Sequence, residues 1–209
     1  MTDIVIFDMD GTLVDTNRMT ARAFAELAEA YGLPVPLPDV VRDAIGLADL
    51  YFYREIYPGV PDERLSPLAQ AIEQREGELG RQLGAEVLFP GVYAMLETLT
   101  KHGKKLYLAS TGTRQHVRDM LSSGQIADFF CEIHCAQPDK EAMTAEILAH
   151  AGQGHAVFVG DTMKDVRAAR ANNLPALGAG FGYVKARERE QFDQVFDTPL
   201  QLLQYILHE

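Results

Sequence analysis

The sequence predicts an α/β fold, a Rossmann-like parallel sheet core with an inserted all-helical cap. Three observations carry this. Short apolar runs bounded by polar residues, Ile4–Phe7, Leu106–Ala109 and Ala156–Val159, have the length and continuity of strands buried on both faces, as in a parallel sheet. From Phe89 onward such runs alternate with helical patterns, the mark of right-handed βαβ units. From Asn17 to about Gly84 the pattern is helical throughout, with no strand signal. The expected division is therefore residues 1–15 and 86–209 for the α/β core and 16–85 for the helical cap.

The opening run is a strand that ends in Asp8 and Asp10. Next, Phe24, Leu27, Ala28 and Tyr31 follow helical spacing and Gly32 supplies a stop. Pro34, Pro36 and Pro38 form a connector that no helix crosses. Helices are then expected from about Asp39 to Ile45, from Leu47 to Tyr57, and from Asp62 through Leu83. The aromatics Tyr51, Phe52, Tyr53 and Tyr57 are expected to pack rather than to recognise a ligand. Beyond Phe89-Pro90-Gly91, Val92 to Leu99 mark a helix before the strand Leu106–Ala109. Val117 to Leu121 mark the next, stopped by Gly124. Cys131–Cys135 is a weaker strand, and Met143 to Ala151 a helix. The strand Ala156–Val159 leads into a helix from Thr162 to Asn172, followed by Pro175–Leu177 and the turn Gly178–Gly182. A weak strand at Val195-Phe196 and a helix with Leu200, Leu203 and Leu207 end the chain.

Composition excludes several classes. At 209 residues, with 47% hydrophobic and 23% charged residues, the chain has globular proportions. A formal net charge of -11 argues against a broad basic face for nucleic acid. An anionic small substrate must then be captured locally, by a metal, a lysine or backbone amides. No apolar stretch approaches the ~20 residues of a membrane span, and the N-terminus is unlike a signal peptide, so the cytoplasm is the expected location. Cys131 and Cys135, roughly 13 Å apart along a strand, are too distant to bridge and are expected to be buried and inert.

Chemistry-bearing residues cluster at strand ends, where open α/β sheets bind ligands. Asp8 and Asp10, beside the turn glycine Gly11, repel each other and call for a hard cation such as Mg2+. Ser110-Thr111-Gly112-Thr113 gather hydroxyls and amides at the end of a strand and before a helix, an anion site or a helix cap. Lys140, at a helix start, opposes the helix dipole and so calls for a reason. Gly160-Asp161 and Asp165, after the strand at Val159, put two carboxylates on one face, aimed at the crevice of Asp8 and Asp10. Gly180-Phe181-Gly182-Tyr183 is either near the site or a surface turn. Arg18 is a weaker candidate for substrate contact. The six histidines show no ligand spacing.

The string from Asp8 to Thr16, Asp-Met-Asp-Gly-Thr-Leu-Val-Asp-Thr, resembles the first signature of the haloacid dehalogenase-like hydrolase superfamily, mostly phosphatases. Ser110 resembles its second motif, with Thr111 where Asn is frequent. Lys140 resembles the third, although many relatives have Lys-Pro and this chain has Lys140-Glu141. Gly160–Asp165 resembles the fourth, GDxxxD. A helical cap placed just after the first motif is similar to the branch that includes phosphoglycolate phosphatase-like proteins and β-phosphoglucomutase.

That resemblance implies a Mg2+-dependent phosphatase for a small phosphorylated metabolite, with neither nucleic acid nor membrane as partner. Asp8 would be the nucleophile and Asp10 the acid/base. Gly11, Ser110, Thr111 and Lys140 would bind the phosphate, with either Ser110 or Thr111 as the main hydroxyl. Asp8, Asp10 through its carbonyl, Asp161, and Asp165 directly or through water would hold the metal. A phosphomutase and a non-catalytic binding protein are the alternatives; a dehalogenase would not need Asp10. Neither the oligomeric state nor the particular substrate is legible.

Overall fold

The computed structural model describes residues 2–208. Strand β1 (Thr2–Phe7) is followed by four helices, α1 (Thr16–Leu27), α2 (Pro38–Ala44), α3 (Leu50–Ile56) and α4 (Asp62–Leu83). The chain then alternates: α5 (Val92–Lys101), β2 (Lys105–Ser110), α6 (Arg114–Gly124), β3 (Phe130–Cys135), α7 (Glu141–Ala151), β4 (His155–Gly160), α8 (Met163–Ala171) and β5 (Ala176–Ala179). It closes with β6 (Gln194–Phe196) and α9 (Pro199–His208).

All six strands are parallel, in the order β3-β2-β1-β4-β5-β6. The chain winds outward from β1 in one direction through β2 and β3, then returns to β4 and winds the other way. The point of reversal lies beside β1, and the crevice beyond its carboxyl end is where such sheets bind ligands. Asp8 is the first residue past that end.

The sequence explains the centrality of β1. Its side chains alternate between faces, as the strand period requires. Val5 and Phe7 join the apolar layer on one side, and Ile4 and Ile6 the layer on the other. The first layer continues from Phe7 and Leu108 into the inserted helices, through Phe24, Leu68 and Ile72, and to Met120 of α6. The helical block and this face of the sheet therefore share one core. The second layer joins Tyr107 and Phe158 to Met143 and Ile147 of α7 and Val166 of α8.

Local signals account for the ends of the inserted helices. Gly32 takes a left-handed conformation at φ 68° after a short 3-10 turn, Ala28–Tyr31, which extends α1. The prolines from Pro34 to Pro38 follow, and Pro38 opens α2. Asp62 and Glu63 stand in the first turn of α4, where the helix dipole favours acids. Among the described residues, no helix is long and apolar enough to cross a membrane.

One expectation is corrected. Cys131 is exposed and Cys135 half-buried, both as free thiols. The reason is position: β3 is an edge strand with a single neighbour, β2, so its sheet face is only partly covered.

Candidate active site

The site is built from four loops at the carboxyl ends of β1, β2, β3 and β4. Pairing of β1 with β4 extends one residue past the strand, since the N–H of Asp8 donates to the Val159 carbonyl at 2.9 Å. This fixes Asp8 at the bottom of the crevice, 3% exposed. The next turn is held by the N–H of Leu13 and of Val14 donating to the Met9 carbonyl.

Lys140 lies across the floor. It is 1% exposed, and its Nζ sits 2.5 Å from Asp8 Oδ1 and 2.6 Å from Asp165 Oδ1. Its unfavourable place at the start of α7 is thus compensated by two carboxylates. Burial alone would push its ammonium down; Asp165 and Asp8 outweigh that and hold it above its usual value. Asp165 is fully engaged. Its Oδ2 accepts from the N–H groups of Asp161 and Thr162 and from the Thr162 hydroxyl, closing a capping box at the start of α8.

Asp8, which shares Lys140 with Asp165, and Asp161 are less fully balanced. Burial pushes Asp8 up to about 7, with Asp165 adding to the rise and Lys140 opposing it. Burial, then Asp8 and Asp165, push Asp161 well above the carboxylate range. Asp161 Oδ1 accepts from the Thr12 hydroxyl at 3.0 Å, while its buried Oδ2 has no hydrogen-bond partner. Oxygens of Asp8, Asp161 and Asp165 all fall within 4.8 Å of one another. A buried, unpaired carboxylate oxygen beside two more carboxylates and one ammonium suits a hard divalent cation.

Asp10 turns a different way. Its Oδ1 accepts from the Thr16 hydroxyl at 2.6 Å and lies 2.7 Å from His116 Nε2 on α6. The other ring nitrogen of His116, Nδ1, is 3.6 Å from Glu76 Oε2 on α4, and Glu76 also accepts from the Thr20 hydroxyl. Burial opposes charge on both partners of the Asp10–His116 pair. Their mutual attraction prevails, lowering Asp10 and, with Glu76, raising His116 well above its usual value. His116 and Glu76 were absent from the sequence-based candidates. They lie on separate helices, and no spacing links them to Asp10.

The hydroxyls after β2 have separate tasks. Ser110, buried, accepts from the Gly112 N–H at 3.1 Å. Thr111 donates to the Gly46 carbonyl of the inserted helices at 3.3 Å. Thr113 caps α6 by accepting from the His116 N–H.

Gly11 has a steric task. Its N–H is committed to the Val14 carbonyl at 2.9 Å, its φ is +79°, and a Cβ there would fall 2.4 Å from Asp161 Oδ2. The turn after β5 belongs to the site: a Cβ on Gly182 would fall 1.7 Å from the Gly11 carbonyl oxygen. Tyr183 follows, its hydroxyl donating to Asp15 at 2.6 Å and accepting from the Asn17 N–H at 2.8 Å, where the helical insertion begins. Arg18 is turned away, paired with Glu86 on the return segment.

Two cavities open on this crevice, on either side of the Ile45-Gly46-Leu47 loop. The first, about 340 Å³, is reached by Asp10 and His116 and roofed by Phe52 and Tyr53. Both rings also pack against Phe24, so they serve core and cavity together. The second, about 300 Å³, meets Asp161 and Thr162 and carries Arg42, Lys164, Arg167 and Lys185.

Comparison with known proteins is consistent with this geometry. The haloacid dehalogenase-like hydrolase family model matches residues 5–179. A phosphoglycolate phosphatase of Synechococcus elongatus is 29% identical over 215 residues, spanning 97% of this chain and 96% of that protein. Among solved structures, a predicted phosphoglycolate phosphatase from Haemophilus somnus 129pt superposes with a TM-score of 0.85 at 21% identity, covering 98% of this chain and 97% of that one. A β-phosphoglucomutase from Clostridium difficile gives 0.78 at 19% identity, with 100% and 96% coverage. At these identities the superpositions speak for the fold.

Proposed function

The chain belongs to the haloacid dehalogenase-like hydrolases, and from that premise we propose that it is a Mg2+-dependent phosphatase acting on a small phosphorylated metabolite through an aspartyl phosphate. One observation carries the reading. Asp8, with Lys140 at 2.5 Å, lies beside the unpartnered oxygen of Asp161, while Asp10 is held apart by Thr16 and His116. This arrangement supports one carboxylate as the nucleophile and another as the proton carrier. The phosphatase names of the relatives support the same reading.

Asp8, Asp161 and the carbonyl of Asp10 would hold Mg2+, which when bound supplies positive charge that lets one anion approach another. Asp165 has its oxygens committed to Lys140 and the capping box, and so serves chiefly to aim Lys140. In the first step an Asp8 oxygen forms a bond to phosphorus as the bond to the leaving oxygen breaks, and the proton that His116 holds against Asp10 Oδ1 passes by way of Asp10 to that oxygen. In the second, Asp10 takes a proton from water, whose oxygen attacks phosphorus and frees Asp8 and inorganic phosphate. Lys140 and Ser110 face the phosphoryl oxygens and stabilise the charge that develops on them. Thr111, bonded to Gly46, links the core to the helical insertion, which we read as a lid that excludes water.

The test is Asp8→Asn assayed with an aryl phosphate and Mg2+. Loss of turnover with an unchanged melting profile is expected, and full activity would sink the mechanism. Inorganic phosphate as the sole phosphorylated product from sugar phosphates separates this reading from a phosphomutase.

A further inference from the structure

We infer that the alcohol displaced from phosphorus by Asp8 carries no negative charge: the substrate is a phosphate monoester of an uncharged, hydroxyl-rich alcohol of sugar or polyol type, and not of a hydroxy acid. This rests on the phosphatase reading above and specifies its leaving group.

The leaving oxygen must lie next to Asp10, which supplies its proton. Asp10 lines the first cavity and not the second, so the leaving group occupies the first. Besides Asp10, the carboxylates of Asp49, Glu73 and Glu76 line that cavity, and no Lys or Arg does so among the described residues. Its one basic side chain, His116, has both ring nitrogens turned to carboxylates, Asp10 and Glu76. A carboxylate on the leaving group would meet acids without a partnering cation, in a partly enclosed space where like charges are poorly screened.

The same wall suits hydroxyl groups. Glu73 accepts from Thr113 with one oxygen and presents the other as an acceptor along the α4 side. Ser66 and Gln70 of α4 add a hydroxyl and an amide. Phe52 and Tyr53 offer ring surface to the C–H faces of a polyol. The cations of this region, Arg42, Lys164, Arg167 and Lys185, stand beyond the Ile45–Leu47 loop in the second cavity, away from Asp10. The volume of the first cavity, about 340 Å³, falls at the small end of ligand pockets and exceeds what a two-carbon hydroxy acid fills.

The experiment measures kcat/KM for phosphate release by the full chain with Mg2+ on glycerol 3-phosphate, a hexose 6-phosphate, 2-phosphoglycolate and O-phosphoethanolamine, with p-nitrophenyl phosphate as reference. At least one of the first two esters should exceed 2-phosphoglycolate by about tenfold or more, and Glu73→Gln should narrow that gap by raising the relative rate on 2-phosphoglycolate. The inference falls if neither polyol ester outruns 2-phosphoglycolate, or if O-phosphoethanolamine leads, which would mark a cationic leaving group. Hydrolysis of p-nitrophenyl phosphate with 2-phosphoglycolate as best metabolite would overturn this inference and leave the phosphatase standing. No hydrolysis of any ester would overturn both.

Discussion

His116 Nε2 lies 2.7 Å from Asp10 Oδ1, and Nδ1 of the same ring lies 3.6 Å from Glu76 Oε2 on α4. The imidazole therefore fixes the carboxylate proposed to move the proton. Replacing it by Leu should lower kcat about 10- to 100-fold with little change in KM, a share of the ~10^2 to 10^4-fold typical of a positioned acid/base. His116→Gln, whose amide N–H reaches the same oxygen, should recover part of the loss. Steady-state kinetics of the two variants checks this; equal activities for Leu and Gln would reduce His116 to packing.

Lys140 is the only ammonium buried against Asp8 and Asp165 among the described residues. Lys140→Met would strand those carboxylates together with Asp161. Removing one partner of a buried ion pair typically costs about 3–5 kcal/mol. The melting temperature should fall, and Mg2+ should restore more of it in the variant than in the parent, because the ion replaces the lost charge. Calorimetry with and without the metal decides, and an unchanged melting temperature would contradict the compensation described here.

The parts of this site that the sequence makes legible are those written as short strings. A buried strand that ends in an acid, as at Phe7-Asp8 and Gly160-Asp161, states both its structure and its place at the sheet's ligand-binding edge. Lys140 was legible because a cation at a helix start is anomalous. Glu76 and His116 were not, because α4 and α6 meet only through tertiary packing. Exposure of Cys131 depends on β3 lying at the edge, a matter of strand order and not of local pattern. Helical periodicity assigns the aromatics of α3 to packing and has no means of showing that Phe52 and Tyr53 also bound a cavity.

Gly182 and Gly11 meet backbone to backbone, since a Cβ on Gly182 would lie 1.7 Å from the Gly11 carbonyl oxygen. No side-chain rotation relieves such a contact; the two loops must separate. Gly182→Ala should cost about 1–3 kcal/mol, as overpacking does. It should also lower kcat by shifting the turn that carries Asp10, whereas Gly59→Ala, at an open position with φ +82°, should alter stability through backbone strain alone. Urea titration combined with kinetics distinguishes the two, and wild-type turnover by Gly182→Ala would show that the Asp10 turn is independent of the β5 loop.

The elevated Asp8 sets the sign of a pH effect in metal-free protein. Its carboxyl rises from the ordinary 3.8 to about 7, chiefly through burial, so between those values the folded state holds a proton that the unfolded chain has lost. Stability rises with pH only where the unfolded state binds more protons; here the folded state does, so this contribution declines as pH rises from about 4 to about 7. In EDTA the protein should therefore gain stability on moving from pH 7.5 to 5.5, before general acid denaturation intervenes. Asp8→Asn should flatten that trend, and Mg2+ should reverse it, since the ion binds the deprotonated carboxylates and competes with the proton. Chemical denaturation at several pH values, with EDTA or with Mg2+, tests both signs. A parent whose metal-free stability climbed steadily from pH 5.5 to 7.5, in step with Asp8→Asn, would show that Asp8 is ionised there without a metal.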